Sequence, residues 1–200
     1  MKALEEKILK EGEAIGTEIV KVDGFLNHRI DAKFMDEMGE EFARLFADEK
    51  PEKILTVEAS GIAIACSAAR SFGYIPVVFA KKAAPNTMTE DFYAAEAKSF
   101  TKGTVSVLRV AKKYIEKGDK VLILDDFLAS GEAGIALCEI VRSAGAEIAG
   151  FGAAVEKRFQ GGAERLRALG IKVKSLAVID RIEDGRIVFG TDKMEEEYAE

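Results

Sequence analysis

From Lys53 onward, short apolar runs alternate with stretches of helical spacing, and that alternation restricts the chain to few folds. Lys53-Ile54-Leu55-Thr56-Val57 reads as a strand, Ile62 to Ser71 as a helix, and Ile75-Pro76-Val77-Val78-Phe79 as a strand. Thr104 to Val110 alternates like a strand, and Val121 to Leu124 is a buried one. Ile135 to Ala144 repeats apolar residues (Ile135, Leu137, Cys138, Ile140, Val141) at helical spacing. Strand Ile148 to Val155, helix Ala163 to Leu169 and strand Val173 to Ala177 complete the series. Strands separated by helices of about ten residues imply an α/β fold, with a central, mostly parallel sheet flanked by helices on both faces. Such sheets bind ligands beyond the carboxyl ends of their strands.

The remaining segments are less regular. Residues 1 to 16 read as a helix with Leu4, Ile8 and Ile15 on one face, and Glu18 to Ile30 as a strand piece and a loop. Asp31 can cap a second helix, whose Phe34, Met35, Met38, Phe42 and Leu45 recur at helical spacing and which stops before Pro51. Lys81 to Lys102 shows no clean period.

Two hundred residues at 48% hydrophobic content can bury one core, so a single domain over residues 1–190 is expected. Residues 191–200 form an acidic tail with five acids and one lysine. That tail carries −4 of the net −6, and neither it nor the body offers a basic face to a nucleic acid. No run approaches eighteen apolar residues, so no membrane span is expected. The charged, acid-bearing start Met1-Lys2-Ala3-Leu4-Glu5-Glu6-Lys7 is unlike a signal peptide. Cys66 and Cys138 lie in apolar helical contexts without CxxC spacing or a histidine partner, and read as buried thiols of a reducing cytoplasm.

Three strand ends carry polar residues, and a parallel sheet would bring all three to one edge. They are Val57-Glu58-Ala59-Ser60-Gly61, Phe79-Ala80-Lys81-Lys82 and Val121-Leu122-Ile123-Leu124-Asp125-Asp126-Phe127-Leu128-Ala129-Ser130-Gly131-Glu132-Ala133-Gly134. The third runs from a buried strand through two acids into a small-residue loop and a helix start. Loop amides at a helix N-terminus suit a phosphate, and carboxylates suit hydroxyls or a metal ion. A sugar phosphate asks for both. The bland alternative is an acid pair that only caps a turn. No Gly-x-x-x-x-Gly-Lys-Ser/Thr loop is present, which disfavours a nucleoside triphosphatase, and no GxGxxG follows the first strand, which weakens a dinucleotide site.

The apolar run, acid pair and small-residue loop resemble the phosphoribosyl pyrophosphate motif of type I phosphoribosyltransferases. Further segments resemble the bacterial xanthine branch of that family: 21–31 (KVDGFLNHRID), 58–63 (EASGIA), 77–82 (VVFAKK), 99–102 (SFTK) and 155–160 (VEKRFQ). The resemblance spans roughly residues 1–190. It implies the type I fold, with a flexible hood from Ala83 to Gly103 and an N-terminal helical segment that recognises the base. It implies that Asp125 and Asp126 receive the ribose hydroxyls, that Ala129, Ser130, Gly131, Glu132 and Ala133 hold the 5-phosphate, and that Ser60, Lys81 and Lys82 meet the pyrophosphate. It also implies Mg²⁺ bound with the pyrophosphate, no metal held by the protein alone, and a homodimer.

For the base, the resemblance points to Val20, Asn27 and Lys157, with xanthine as acceptor of the phosphoribosyl group. A lysine only donates, so Lys157 suits a 6-oxo group and disfavours a 6-amino group. Guanine and hypoxanthine stay open as acceptors. Glu132 departs from the commoner Thr-Gly-Gly-Thr loop, and its carboxylate must point away from a bound phosphate. Absence of a Ser-His or Cys-His arrangement fits transfer without a protein nucleophile. A rival class is a transcription regulator that senses phosphoribosyl pyrophosphate; it needs a DNA-binding module, and about fifty mostly non-basic residues precede the first sheet strand. His28 is expected to pack a loop, Phe92, Tyr93 and Phe100 to anchor the hood, and Glu164 to Arg167 to form a solvated helix face.

Overall fold

A computed structural model of the chain describes residues 1–82, 91–99 and 104–190. Its elements run α1 (Lys2–Glu11), β1 (Glu13–Ile15), β2 (Ile19–Lys21), α2 (Ala32–Leu45), β3 (Lys53–Val57), α3 (Gly61–Ser71), β4 (Val77–Ala80), β5 (Phe92–Ser99) and β6 (Thr104–Ala111). They continue with β7 (Lys120–Leu128), α4 (Glu132–Ser143), β8 (Glu147–Lys157), α5 (Gly162–Ala168), β9 (Val173–Glu183) and β10 (Arg186–Phe189). The central sheet has the order β10-β9-β8-β7-β3-β4, parallel throughout except for the antiparallel β10. The expected α/β class and its mostly parallel sheet are found.

Alternation along the strands divides the core. Ile54, Leu122 and Leu124 face the layer made by α1, α2 and α3, where Leu4, Ile8, Met38, Phe42 and Ile64 are fully buried. Leu55, Val121 and Ile123 face the other way, against Leu137, Ile140 and Val141 of α4 and Leu166 of α5. A side-chain period of two along each strand gives this partition, and strands buried on both faces must be apolar at every step.

The N-terminal segment differs from the single helix expected over residues 1–16. Helix α1 stops at Glu11, Ile15 is exposed in β1, and β1 pairs antiparallel with β2 through Glu13↔Lys21. Gly12 is extended (φ −85°, ψ 161°), and its N–H closes the last turn on the Ile8 carbonyl, so the helix ends there. Beyond β2, a turn of π-helix at Asp23–Asn27 leads to α2, which starts as expected: the Asp31 carboxylate accepts a hydrogen bond from Phe34 N at 3.2 Å. Lys7 pins this turn, pairing with Asp31 at 3.0 Å and lying 5.3 and 5.1 Å from the Phe25 and Phe34 ring centres.

Three further elements differ from expectation. The aperiodic stretch assigned to a hood contains β5, in full register with β6 from Phe92↔Ala111 to Ser99↔Thr104; the rest of that stretch, with Phe100, and the acidic tail fall outside the described residues. Strand β9 runs on to Glu183 and returns as β10. Strand β7 continues through Asp125 and Asp126 to Leu128, because β8 pairs with it as far as Leu128↔Glu156. Cys138 is buried, whereas Cys66 is exposed on α3; both are free thiols. None of the described helices is long and apolar enough to cross a membrane.

Candidate active site

Strands β3, β4 and β7 run parallel, so their carboxyl ends open on one edge. A cleft of about 650 Å³ lies there. Among its lining are Glu58, Ser60, Lys82, Asp125, Asp126, Phe127 and the loop Ala129 to Ala133, joined by Glu18, Gln160 and Arg165. The convergence expected of three strand ends is present.

The acid pair is buried. Asp126 N donates to Asp125 Oδ1 at 3.0 Å, and Asp126 Oδ2 accepts from Asn27 Nδ2 at 3.2 Å. Burial pushes the Asp125 carboxyl well above its ordinary value of 3.8; the neighbouring Asp126 charge adds to the rise and the Lys82 ammonium opposes it. Beside the pair, the buried Thr56 hydroxyl has no hydrogen-bond partner among the described residues. A Cβ on Gly61 would overlap that hydroxyl and lie 3.3 Å from Asp125 Oδ1, so α3 begins pressed against the acid.

The loop after the acids is shaped by two glycines. Gly131 has φ +84°, a left-handed conformation that glycine adopts without penalty, and its Cα lies close against Gly162 at the start of α5. Gly162 N donates to the Ala129 carbonyl at 3.0 Å, and a Cβ at 162 would collide with that carbonyl. Helix α4 then starts at Glu132, and its first amides have no intrahelical acceptors. Glu132 lines the cleft with its carboxylate bonded to Arg165. Its Oε1 accepts from Arg165 Nη1 at 2.6 Å, and the same nitrogen donates to the Ser130 carbonyl at 2.5 Å. Arg165 is exposed, as expected of that helix face, yet bonded to the loop, whereas Leu166 beside it is fully buried.

On the neighbouring strand ends, the Glu58–Ala59 peptide is cis and Glu58 Oε1 accepts from Lys82 N at 2.7 Å. Lys81 stands apart from the cleft lining: its backbone bridges Arg109 and its ammonium lies 5.9 Å from the Phe79 ring centre. Lys157, the last residue of β8, donates from Nζ to the Glu18 carbonyl at 2.8 Å and crosses the Phe127 ring at 5.4 Å. Burial lowers its pKa from 10.5, partly offset by the Glu18 charge. Val20 is buried in the core beside the N-terminal helices, and His28 is exposed. Sequence reasoning missed Glu18, Phe127 and Arg165. Arg165 acts on a loop 33 residues away, a contact with no local signal.

Fold and cleft together define a class. The Phosphoribosyl transferase domain family matches residues 27–177, and the chain belongs to that family. Xanthine phosphoribosyltransferase 1 of Clostridium perfringens is 50% identical over 189 residues, covering 94% of this chain and 100% of its own length. Xanthine phosphoribosyltransferase of Clostridioides difficile is 47% identical over the same shares. Among solved structures, adenine phosphoribosyltransferase of Rhodothermus marinus superposes with a TM-score of 0.71 at 19% identity, covering 90% of this chain and 100% of its own. The enzyme from Leishmania tarentolae gives 0.71 at 20% identity, covering 88% of this chain and 87% of its own. These two show the shared fold.

Proposed function

We propose that the protein transfers the 5-phosphoribosyl group from phosphoribosyl pyrophosphate to xanthine, giving xanthosine 5-monophosphate and pyrophosphate. The observation that carries this reading is the Asp125–Asp126 pair, buried beside a loop of free amides at the start of α4, in a chain half identical to xanthine phosphoribosyltransferases. Ionised carboxylates only accept hydrogen bonds, so the pair suits the two ribose hydroxyls. The sugar gains positive charge as its bond to pyrophosphate breaks. Two acids crowded in a buried site favour that charge more than they favour the neutral sugar, which is what lowers a barrier. The base then attacks C1 from the opposite face, with inversion.

The loop Ala129 to Ala133 holds the 5-phosphate by its amides and the Ser130 hydroxyl, and Ser60 and Lys82 face the pyrophosphate. Lys81, outside the cleft lining, reaches it only by rotating off Phe79. The described lining carries five acids (Glu18, Glu58, Asp125, Asp126, Glu132) against two cations (Lys82, Arg165). A polyanionic substrate entering such a site needs a counter-charge brought with it. Among the described residues no group of three acids, histidines or cysteines could hold a metal by itself. Mg²⁺ would meet the need for counter-charge, since it characteristically binds through substrate phosphates and one or two carboxylates. When bound, Mg²⁺ supplies charge to the departing pyrophosphate.

Base selection falls to residues beside the cleft. Lys157 donates to the 6-oxo group of xanthine, Asn27 to the 2-oxo group or a ring nitrogen, and Val20 shapes the wall from behind; the base lies along Phe127. Lys157 donates to the Glu18 carbonyl and Asn27 to Asp126, so both donors, though outside the cleft lining, are tied to residues within it. The proposal includes a homodimer, supported by Phe79 and Tyr74 exposed along and before the edge strand β4, and a cytoplasmic setting, supported by two free thiols. The test is an assay of purified protein with Mg²⁺, phosphoribosyl pyrophosphate and each of xanthine, guanine, hypoxanthine and adenine. Nucleotide formation fastest with xanthine is expected; faster turnover of guanine or hypoxanthine moves the substrate within the class, and no product with any base defeats the reading.

A further inference from the structure

The phosphate loop contains an acid where a phosphate is to be bound, and the structure shows what offsets it. Glu132 opens α4 and lines the cleft with its side chain 16% exposed. A carboxylate is favourable at a helix N-terminus for the same reason a phosphate is, so left alone it would compete for the same amides and repel the ligand. It is not left alone. One Arg165 nitrogen is bonded both to Glu132 Oε1 and to the Ser130 carbonyl.

We propose that Arg165 is a positioning residue that keeps the phosphate loop receptive, by drawing the Glu132 carboxylate out of the anion site and fixing the Ser130 carbonyl. This rests on the reading of Ala129 to Ala133 as the 5-phosphate site. Peptide planarity links the two bonds: holding the Ser130 carbonyl toward the guanidinium turns the Gly131 N–H the opposite way. Arginine suits the task because its fork can serve two acceptors while staying charged at any working pH. Helix α5 carries Arg165 and, at its start, the Gly162 that packs on Gly131 and bonds the Ala129 carbonyl. One short helix therefore sets both the backbone and the charge of the loop.

The test is calorimetric binding of ribose 5-phosphate, with the KM for phosphoribosyl pyrophosphate in parallel, for Arg165→Met, Glu132→Gln and the double variant. Arg165→Met is expected to weaken binding and raise KM by about tenfold, the scale of a charge-assisted contact at a helix end, with a much smaller fall in kcat. Glu132→Gln is expected to bind ribose 5-phosphate at least as tightly as the parent. The double variant is expected to recover part of the lost affinity, because the acid that needed restraint is gone while the Ser130 carbonyl stays unheld. A double variant as weak as Arg165→Met overturns the proposal, since Arg165 would then act on the phosphate directly or only hold the fold. Parental affinity in Arg165→Met overturns it too. The affinity pattern without turnover of any purine would defeat the assigned reaction but keep this inference, whereas a parent protein that binds no ribose 5-phosphate defeats both.

Discussion

One wall of the cleft is continuous in sequence and the other is assembled from distant pieces. Residues 125 to 134 run without interruption from the end of β7 through the loop into α4, and backbone geometry sets most of what they present. The other side joins Asn27 to Asp126 across 99 residues and Lys157 to Glu18 across 139, tying two residues outside the cleft lining to two within it. In the proposed reading, the first wall is a local device for holding a sugar phosphate. The second exists only when the N-terminal segment is docked on the sheet, through Lys7, Phe25 and Phe34. The contrast implies that changes on the first wall act on the reaction itself, and changes on the second act on which base is used.

The largest effect should come from the acids. Asp125→Ala and Asp126→Ala are each expected to lower kcat by about 10²–10³-fold, as removal of preorganised electrostatic groups does, with an unchanged circular dichroism spectrum. Near-normal rates in both variants would break the assignment of that wall. A smaller effect is expected from Gly131→Ala. The new Cβ would lie 3.0 Å from Gly162 Cα at a φ of +84°, so the loop must shift; KM for phosphoribosyl pyrophosphate should rise about tenfold and KM for xanthine much less. Equal rises in both would erase the distinction between the walls.

The smallest effect concerns stability and has the opposite sign to activity. A carboxyl whose folded pKa is raised contributes nothing unfavourable while protonated, and destabilises the fold as pH climbs above its unfolded value, near 3.8. Asp125→Asn removes that penalty. At pH 7 the variant should melt above the parent, and the gap should close as pH falls below about 4. A lower melting temperature at pH 7 would show that the Asp125 charge is better compensated than the structure implies.

How far the sequence disclosed this molecule follows the same division. Apart from β5, the strands and helices from β3 to β9 were legible because each carries its own period and its own turn residues. The acid pair and loop were legible because their chemistry is contiguous. Strand β5 was not: its Ala94-Ala95-Glu96-Ala97-Lys98 favours a helix in isolation, and cross-strand pairing with the Val-rich β6 overrides that preference. The extension of β7 through two acids was hidden likewise, since pairing with β8 holds the backbone extended where side-chain pattern alone suggests a loop. The end of α1 at Glu11 was masked by the apolar spacing through Ile15, although Gly12, the extended C-cap, is a poor helix former. Arg165 carried no signal at all until the fold set α5 beside the loop.

The most direct test of the division between the walls is Lys157→Ala, assayed for kcat/KM with xanthine and, separately, for ribose 5-phosphate affinity. Loss of a charged donor to a buried oxygen should lower kcat/KM for xanthine by about 10–100-fold, while ribose 5-phosphate binds as it does in the parent. Equal loss of both, or full retention of xanthine turnover, would contradict the account.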